Sequence, residues 1–232
     1  MGKIGYGYGS EWHLLWYLGR HRSRLNREVR RVTGAERVEW LDFVHSESDT
    51  IDAEWKGLAF IQDDALQSAW GEFWPQGAGI HHWDAVAQID VSGPQEWLLV
   101  EAKAHTYEVQ SDCGAKPHGG RDQIRRALDQ TKSALQVQSS CDWMNGYYQF
   151  CNRVAVLHFL QSHGVPAHLL VVYFTGDSGP ARECPLDESG WQAAIAAQDA
   201  HVGLPEEHAL SGRIHRLFLP AFTNLHEAPQ LR

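Results

Sequence analysis

Residues 97–105 (WLLVEAKAH) combine a strand-like apolar pattern with two charged side chains near the end of the segment. A strand presents alternate residues on opposite faces, so the small and apolar residues at its even-numbered positions share one side. Glu101 and Lys103 therefore emerge together on the other side. The segment predicts that a carboxylate and an ammonium group lie side by side near the end of a strand.

A second carboxylate, Asp84, lies 17 positions before Glu101 and is expected to join this patch. Residues 82–89 also have strand character, and residues 91–94 (VSGP) between the two segments supply turn chemistry. An antiparallel hairpin then brings Asp84 alongside Glu101. Two carboxylates on one patch repel each other unless a cation lies between them. The sequence therefore predicts a cation site at this end of the hairpin.

Hydrophobic periodicity predicts the elements that must position this hairpin. Ser10 is the expected N-cap of one long helix that reaches Val32 and is closed by Gly34. Further elements are expected at 38–44 (strand), 63–73 (helix), 121–137 (helix), 147–162 (helix), 169–174 (strand), 188–200 (helix) and 213–219 (strand). No repeat or linker divides the chain, so residues 1–232 are expected to form one α/β domain, a central mixed β-sheet flanked by helices.

The pattern D-x(16)-E-A-K, formed by Asp84, Glu101, Ala102 and Lys103, resembles the PD-(D/E)XK nuclease superfamily. The predicted order αβββαβ, with C-terminal additions, is similar to that superfamily's restriction-endonuclease-like core over roughly residues 10–175, and the whole chain resembles bacterial proteins. The resemblance implies that Asp84 and Glu101 bind Mg²⁺ or Mn²⁺, with the carbonyl of Ala102 as a further ligand. It also implies that Lys103 positions and activates the attacking water. Trp83 replaces the proline that names the motif.

Glu11 is the expected accessory residue of this site. It lies in the first turn of the first helix, in line with the leucines that face the core. The resemblance implies a role as a further metal or water ligand, and the alternative is a simple interaction with the helix dipole. Gln123 and Lys132 are interpreted as surface residues. The polar residues at the start of the helix at 147–162, among them Gln149 and Arg153, are interpreted as helix caps rather than as the lining of a cleft.

Charge is distributed unevenly along the chain. Residues 1–37 contain eight basic and three acidic residues, a net +5, which leaves −14 on the remainder of a molecule of net charge −9. This basic segment is expected to hold a phosphate backbone, or else to form a solvated arginine face. Nucleic-acid contacts are also expected at three arginines of the helix at 121–137, namely Arg121, Arg125 and Arg126.

Composition limits the class of protein. Hydrophobic residues make up 43% of the chain, and no apolar run approaches the roughly 20 residues of a membrane helix. The beginning of the sequence does not read as a secretory signal, and the four cysteines form no C-x-x-C pair, so a reduced, cytoplasmic protein is expected. The resemblance allows a homodimer.

The predicted function is that of a metal-dependent nuclease, with DNA as the favoured nucleic acid. An inactive nuclease-like fold that serves as a binding or immunity module is the alternative. A zinc site is the less favoured interpretation of several neighbouring histidines, cysteines and acids, namely His81 and His82, His105 with Glu108, and Cys113 with His118. The sequence contains no G-x-S-x-G, P-loop or H-E-x-x-H motif that would indicate another hydrolase.

Overall fold

The computed structural model describes residues 9–41, 44–46, 49–77, 80–91, 93–177 and 184–221, with no side-chain description for 44–46 and 49–53. The helices are α1 (Ser10–Arg20), α2 (Arg22–Thr33), α3 (Asp64–Phe73), α4 (Asp122–Ala134), α5 (Tyr148–Ser162) and α6 (Glu188–Val202). The strands are β1 (Arg37–Trp40), β2 (Val44–Ser46), β3 (Asp49–Ala53), β4 (Trp55–Lys56), β5 (His82–Trp83), β6 (Ala85–Asp90), β7 (Gln95–Lys103), β8 (Ala167–Thr175) and β9 (Ile214–Pro220). A short 3-10 turn covers Thr106–Val109, and a turn of π type covers Pro117–Arg121.

A five-stranded mixed sheet, in the order β1-β6-β7-β8-β9, forms the centre of the fold. Strands β1, β6 and β7 are antiparallel, and Ala85 pairs with Val100 in the predicted hairpin. Strand β8 runs parallel to β7, with Glu101 opposite Val171, and β9 runs parallel to β8. The prediction of an α/β fold with a mixed central sheet flanked by helices is confirmed.

The two faces of the sheet bury separate apolar clusters. Leu98, Val100 and Ala102 of β7 pack with residues of α1 and α2, whereas Leu99 packs with residues of α3, α4, α5 and α6. Strand β8 is buried on both faces, which explains its continuous apolar sequence. Glu101 and Lys103 therefore point toward the layer that contains α5.

The prediction of one long helix from Ser10 to Val32 is wrong. The chain breaks at His21 (φ −126°, ψ 30°), where its N–H bonds to the carbonyl of Tyr17 and Arg22 Nε donates to the carbonyl of Leu18 at 2.8 Å. Helix α1 then contacts β7 and β8, whereas α2 contacts β1 and β9. The break allows two short helices to follow the twisted sheet.

Of the two helix ends predicted here, the one at Gly34 is confirmed and the one at Ser10 is wrong. Ser10 makes no capping bond with its side chain, and the N-cap residue is Gly9, whose φ of 96° suits a residue without Cβ. Gly34 closes α2 as predicted, in the left-handed conformation, with its N–H on the carbonyl of Arg30 at 2.9 Å. All four cysteines are free. Among the described residues, no helix has the length and apolar character needed to traverse a lipid bilayer.

Candidate active site

The three residues of the predicted motif lie together at the end of β7. Asp84 occupies the bend between β5 and β6, and its N–H bonds to the carbonyl of Val100, so the pairing register continues to place it opposite Glu101. Its Oδ2 accepts a hydrogen bond from the N–H of Ala102 at 2.6 Å. Ala102 itself is buried in the strand, and the role of its carbonyl as a metal ligand stays a prediction.

Glu101 is buried and held by two cations. Its Oε1 lies 2.6 Å from Lys103 Nζ, and its Oε2 lies 2.8 Å from Arg153 Nε and 2.7 Å from a terminal nitrogen of the same guanidinium. Burial opposes ionisation of this carboxyl, but Arg153 and Lys103 outweigh it and lower its pKa below the ordinary value. Glu101 is therefore an ionised carboxylate that is held in place by two positively charged side chains.

The ammonium group of Lys103 is fixed by Glu101 on one side and by Gln149 on the other. Gln149 Oε1 accepts a hydrogen bond from Lys103 Nζ at 2.6 Å, and the backbone N–H of Gln149 is held by Ser111 Oγ at 2.8 Å. An ammonium group has three N–H donors. Two of them are accounted for by these contacts, so the position of Nζ is well defined.

Arg153 connects helix α5 to the hairpin. Beyond Glu101, its guanidinium donates to the carbonyl of His82 at 2.6 Å and to Asn152 Oδ1 at 2.9 Å, and it lies 4.6 Å from the ring centre of Trp83. The interpretation of Arg153 and Gln149 as helix caps is wrong, because their side chains reach across to the end of β7. A signal was present: α5 is apolar almost all round, and an arginine within a buried helix requires a partner.

Three carboxylates form an acidic cluster near Glu101 and Lys103. Glu11, Glu54 and Asp84 each offer an oxygen within 4.8 Å of the other two. Glu11 therefore lies where the sequence predicted. Glu54 was missed, because residues 45–61 show no clear periodicity and Glu54 is brought here by the pairing of Trp55 with Trp83. Glu101 is not part of this cluster.

The ionised forms of the three carboxyl groups in the acidic cluster are disfavoured. Burial, followed by the charges of Glu11 and Glu101, raises the pKa of Glu54 to about 7. Burial and the charge of Glu101 raise the pKa of Asp84 well above its ordinary value, in spite of Lys103 and the N–H of Ala102. Burial also raises the pKa of Glu11, with further contributions from Glu101 and Glu108. A cation among these oxygens would remove the repulsion.

A buried carboxylate fixes the helix end that carries Glu11. Asp177 follows β8, and its Oδ2 accepts the N–H of Gly9, the N-cap residue of α1, at 3.0 Å. The same oxygen lies 3.0 Å from His13 Nε2 and 3.7 Å from His105 Nε2. Burial lowers the pKa of His13 against the opposing effect of Asp177. The start of α1 is thereby attached to the sheet next to the site.

The arginines predicted to bind nucleic acid differ in their roles. Arg121 donates to the carbonyls of Cys113 and Ala115, at 3.2 and 3.1 Å, and so holds a loop. Arg125 and Arg126 are exposed on α4.

The interpretation of Lys132 as a surface residue is wrong, whereas Gln123 is half-buried at the surface and makes hydrogen bonds there. Gln123 Nε2 donates to the carbonyls of Gly71 and Glu72 near the end of α3, at 2.9 and 3.0 Å. Lys132 is buried and contacts the carbonyl of Cys141 at 3.2 Å. Both side chains therefore hold neighbouring segments of the chain in place.

The zinc interpretation gains no support from the geometry. Within the described residues, the potential metal ligands that lie close together are the three carboxylates of the acidic cluster, and no histidine or cysteine joins them. A donor set made of carboxylate oxygens alone favours hard cations such as Mg²⁺, whereas zinc sites usually include His nitrogen or Cys sulfur.

Comparison with known proteins found no relative: no family model, no curated protein and no solved structure matches the chain. The geometry of the site is therefore the basis for inferring its chemistry.

Proposed function

We propose that the protein is a metal-dependent nuclease that hydrolyses phosphodiester bonds of nucleic acid, with DNA as the favoured substrate. One observation carries the proposal: a buried lysine, fixed by Glu101 and Gln149, adjoins three carboxylates that lie within 4.8 Å of one another. A hydrolytic site for phosphate esters needs both a cation site and a donor that stabilises developing negative charge.

The acidic cluster fits a hard divalent cation. Its donor set consists of oxygen atoms alone, which suits Mg²⁺ or Mn²⁺. The raised pKa values of its members are caused first by burial and then by the charges of neighbouring carboxylates, and a bound cation would offset both. Asp84, Glu54 and Glu11 would hold the ion. When bound, it would polarise the scissile phosphate and lower the pKa of a coordinated water.

The protein's own residues would orient the reaction. Lys103 would hold the attacking water by an N–H bond and stabilise the charge that develops on the phosphate oxygens. Glu101 keeps the ammonium group in place at 2.6 Å, and Arg153 keeps Glu101 in place from the other side. In this proposal Glu101 acts chiefly by positioning Lys103, which departs from the ligand role that the motif implies.

The order of elements supports the finer proposal of a restriction-endonuclease-like core. Helices α1 and α2 precede three antiparallel strands, β1, β6 and β7, and helices α4 and α5 lead into β8, which is parallel to β7. This agrees with the order αβββαβ. Asp84 immediately precedes β6, the second core strand, and Glu101 and Lys103 lie at the end of β7, the third.

Arginine side chains are the proposed contacts to the phosphate backbone. Helix α2 (RSRLNREVRRVT) contains five arginines and one acidic residue, and it buries Leu25 and Val29 while most of the arginines face solvent. Arg125 and Arg126 are exposed on α4. Such contacts would attract the backbone by charge, without reading the base sequence.

One observation favours the alternative of an inactive binding or immunity module. Both oxygens of Glu101 are occupied by Lys103 and Arg153, so this carboxylate is not available as a metal ligand in the described arrangement. If the fold has lost catalysis, the acidic cluster should bind no divalent cation with useful affinity. Metal binding therefore separates the two functions.

We expect Lys103→Ala to abolish cleavage while metal binding persists. Loss of a donor aimed at the transition state costs on the order of 10²–10³-fold in rate. An ammonium group cannot be a metal ligand, so Mn²⁺ affinity measured by calorimetry should stay equal or increase. Asp84→Asn should lose both properties, because it removes an anionic oxygen ligand. Cleavage of single-stranded and duplex DNA and RNA in low salt with Mg²⁺ is the activity measurement.

Lys56→Ala, which changes an exposed lysine on the neighbouring strand β4, is the matched control and should retain activity. Cleavage that survives Lys103→Ala at the wild-type rate would contradict the proposal and point to a contaminating enzyme. A wild-type protein that binds no divalent cation and cuts no member of the panel would leave the binding module as the function.

A further inference from the structure

The first turn of α1 carries Glu11, one of the three carboxylates of the acidic cluster. Its N-cap residue is Gly9, and no neighbouring side chain of the described chain makes a capping bond there. The end of a helix is the part that frays most readily when its backbone groups lack such bonds. The position of the Glu11 carboxylate therefore depends on support from another part of the chain.

Asp177, just after the end of β8, supplies this support. Its Oδ2 lies 3.0 Å from the backbone nitrogen of Gly9 and 3.0 Å from His13 Nε2. The two contacts lie two residues before and two residues after Glu11. Both side chains of the Asp177–His13 pair are buried, and the His13 ring also packs against that of Phe174, with ring centres 5.2 Å apart. One oxygen atom therefore holds both sides of the turn that presents Glu11.

Asp177 is also connected to the strand that carries Lys103. Its Oδ2 lies 3.7 Å from Nε2 of His105, a completely buried residue that follows β7. The pairing of β7 with β8 places Tyr173, four residues before Asp177, opposite Lys103. The same carboxylate thus contacts the start of α1 and the end of β7. It fixes the first turn of α1 relative to the strand end at which the cluster lies.

We propose that Asp177 is a positioning residue for cation binding: by holding the first turn of α1, it places the Glu11 carboxylate where a divalent cation can use it. This role rests on the metal site of the proposed nuclease and adds a residue that lies outside the motif. Mg²⁺ requires near-octahedral coordination by oxygen at about 2.1 Å, so a small shift of one carboxylate weakens its binding. Residues that orient metal ligands change metal affinity by about 10–100-fold.

The test measures Mn²⁺ affinity by calorimetry in Asp177→Ala, in Glu11→Ala and in the double variant, with no nucleic acid present. We expect Asp177→Ala to weaken Mn²⁺ binding about tenfold, because the turn that presents Glu11 is no longer held. In the Glu11→Ala background the same substitution should change the affinity by less than about twofold, because the ligand that Asp177 positions is already gone. A purely structural role would give the same loss in both backgrounds.

Asp63→Ala is the matched control. Asp63 holds the start of another helix, α3, by accepting the N–H of Leu66 at 2.9 Å, and α3 carries none of the three carboxylates. This variant should lose stability and keep its Mn²⁺ affinity.

His13→Phe is the second variant, to be used if Asp177→Ala does not fold. It keeps an aromatic ring against Phe174 and removes the contact of the imidazole with Asp177. Because the contact with Gly9 remains, the loss of Mn²⁺ affinity should be smaller, about threefold, and again confined to protein that contains Glu11.

Equal losses with and without Glu11, or wild-type Mn²⁺ affinity in whichever variant folds, would overturn the positioning role of Asp177. If the wild type still binds Mn²⁺ and cuts nucleic acid in that case, only the positioning role is wrong. A wild type that binds no Mn²⁺ would overturn this role together with the metal site. If Mn²⁺ binds and the loss depends on Glu11 but no nucleic acid is cut, the nuclease proposal fails and the positioning role remains.

Discussion

Among single residues, the protonation of Glu54 shows whether the carboxylates of the acidic cluster repel one another. In the folded protein its pKa is about 7, against an ordinary value of 4.5, because it is buried and lies near Glu11 and Glu101. The folded state therefore keeps a proton that the unfolded chain releases near pH 4.5. Stability from this group is fully present below pH 4.5 and is lost as the pH rises to about 7. Above pH 7 the loss is complete.

Glu54→Gln should remove this pH dependence. In metal-free buffer, we expect the wild type to lose about 1–2 kcal/mol of stability relative to Glu54→Gln between pH 5 and pH 8, after allowance for solvent screening of a partly exposed group. Thermal midpoints at the two pH values provide the measurement. Added Mn²⁺ should raise the wild-type midpoint at pH 8 and have a smaller effect on the variant.

Glu72→Gln, at an exposed position of α3, is the control and should parallel the wild type. If the thermal midpoints of wild type and Glu54→Gln change equally between pH 5 and pH 8, Glu54 does not titrate near neutrality. The repulsion inferred for the acidic cluster is then absent.

The residues of the candidate site differ in how readily the sequence predicts their positions. Asp84, Glu101 and Lys103 could be predicted because the two-residue period of a strand and one tight turn determine their relative positions. The position of Glu11 could be predicted because helical periodicity places it in line with the core-facing leucines of the first helix. Glu54 and Gln149 could not be predicted, because each reaches the site through pairing or packing between segments distant in sequence, which no local period encodes.

Among the elements, the helix starts give the sharpest contrast between sequence and structure. Ser10 has the residue type of an N-cap but makes no capping bond, whereas Asp63 accepts the N–H of Leu66 at 2.9 Å at the start of α3. The break at His21 follows Gly19, a poor helix former that could have indicated it. Periodicity predicted where helices and strands lie, but the break depends on how two helices fit one twisted sheet.

We expect Asp63→Ala to cost about 1 kcal/mol and Ser10→Ala less than about 0.5 kcal/mol in the free energy of unfolding. The first substitution removes a real capping bond, and the second removes a hydroxyl without that role. Urea unfolding of the two variants and the wild type, followed by tryptophan fluorescence, is the measurement. A loss in Ser10→Ala equal to that in Asp63→Ala would show that Ser10 caps α1 in solution.

For the whole molecule, the separation of charge predicts how binding depends on salt. The chain carries −9 overall, yet Arg27 and Arg31 lie on α2 with side chains 58% and 64% exposed and share one carboxylate, Glu28. An acidic body with a basic helix should bind polyanions locally and only in low salt.

Arg27→Gln/Arg31→Gln should reduce the slope of log affinity against log salt by up to about 2, since each lost phosphate contact removes roughly 0.9 for duplex DNA. Arg125→Gln/Arg126→Gln tests α4 in the same way. Lys116→Gln, an exposed position elsewhere, is the control. Fluorescence anisotropy with duplex DNA at several salt concentrations gives the slopes. Unchanged slopes in both pairs would mean that these arginines form only a solvated face.

The attachment of Arg153 to Glu101 has a consequence for the order in which the molecule is made. The two residues are 52 positions apart, and α5 follows the hairpin in the chain. During synthesis the hairpin β6–β7 emerges first with Lys103 already beside Glu101, but Arg153, the second cation that holds Glu101, is added much later. A nascent chain that ends before α5 therefore lacks one of the two cations that offset the burial of this glutamate. The site is complete only after the ribosome has passed residue 153, so a truncated chain is released without a finished site.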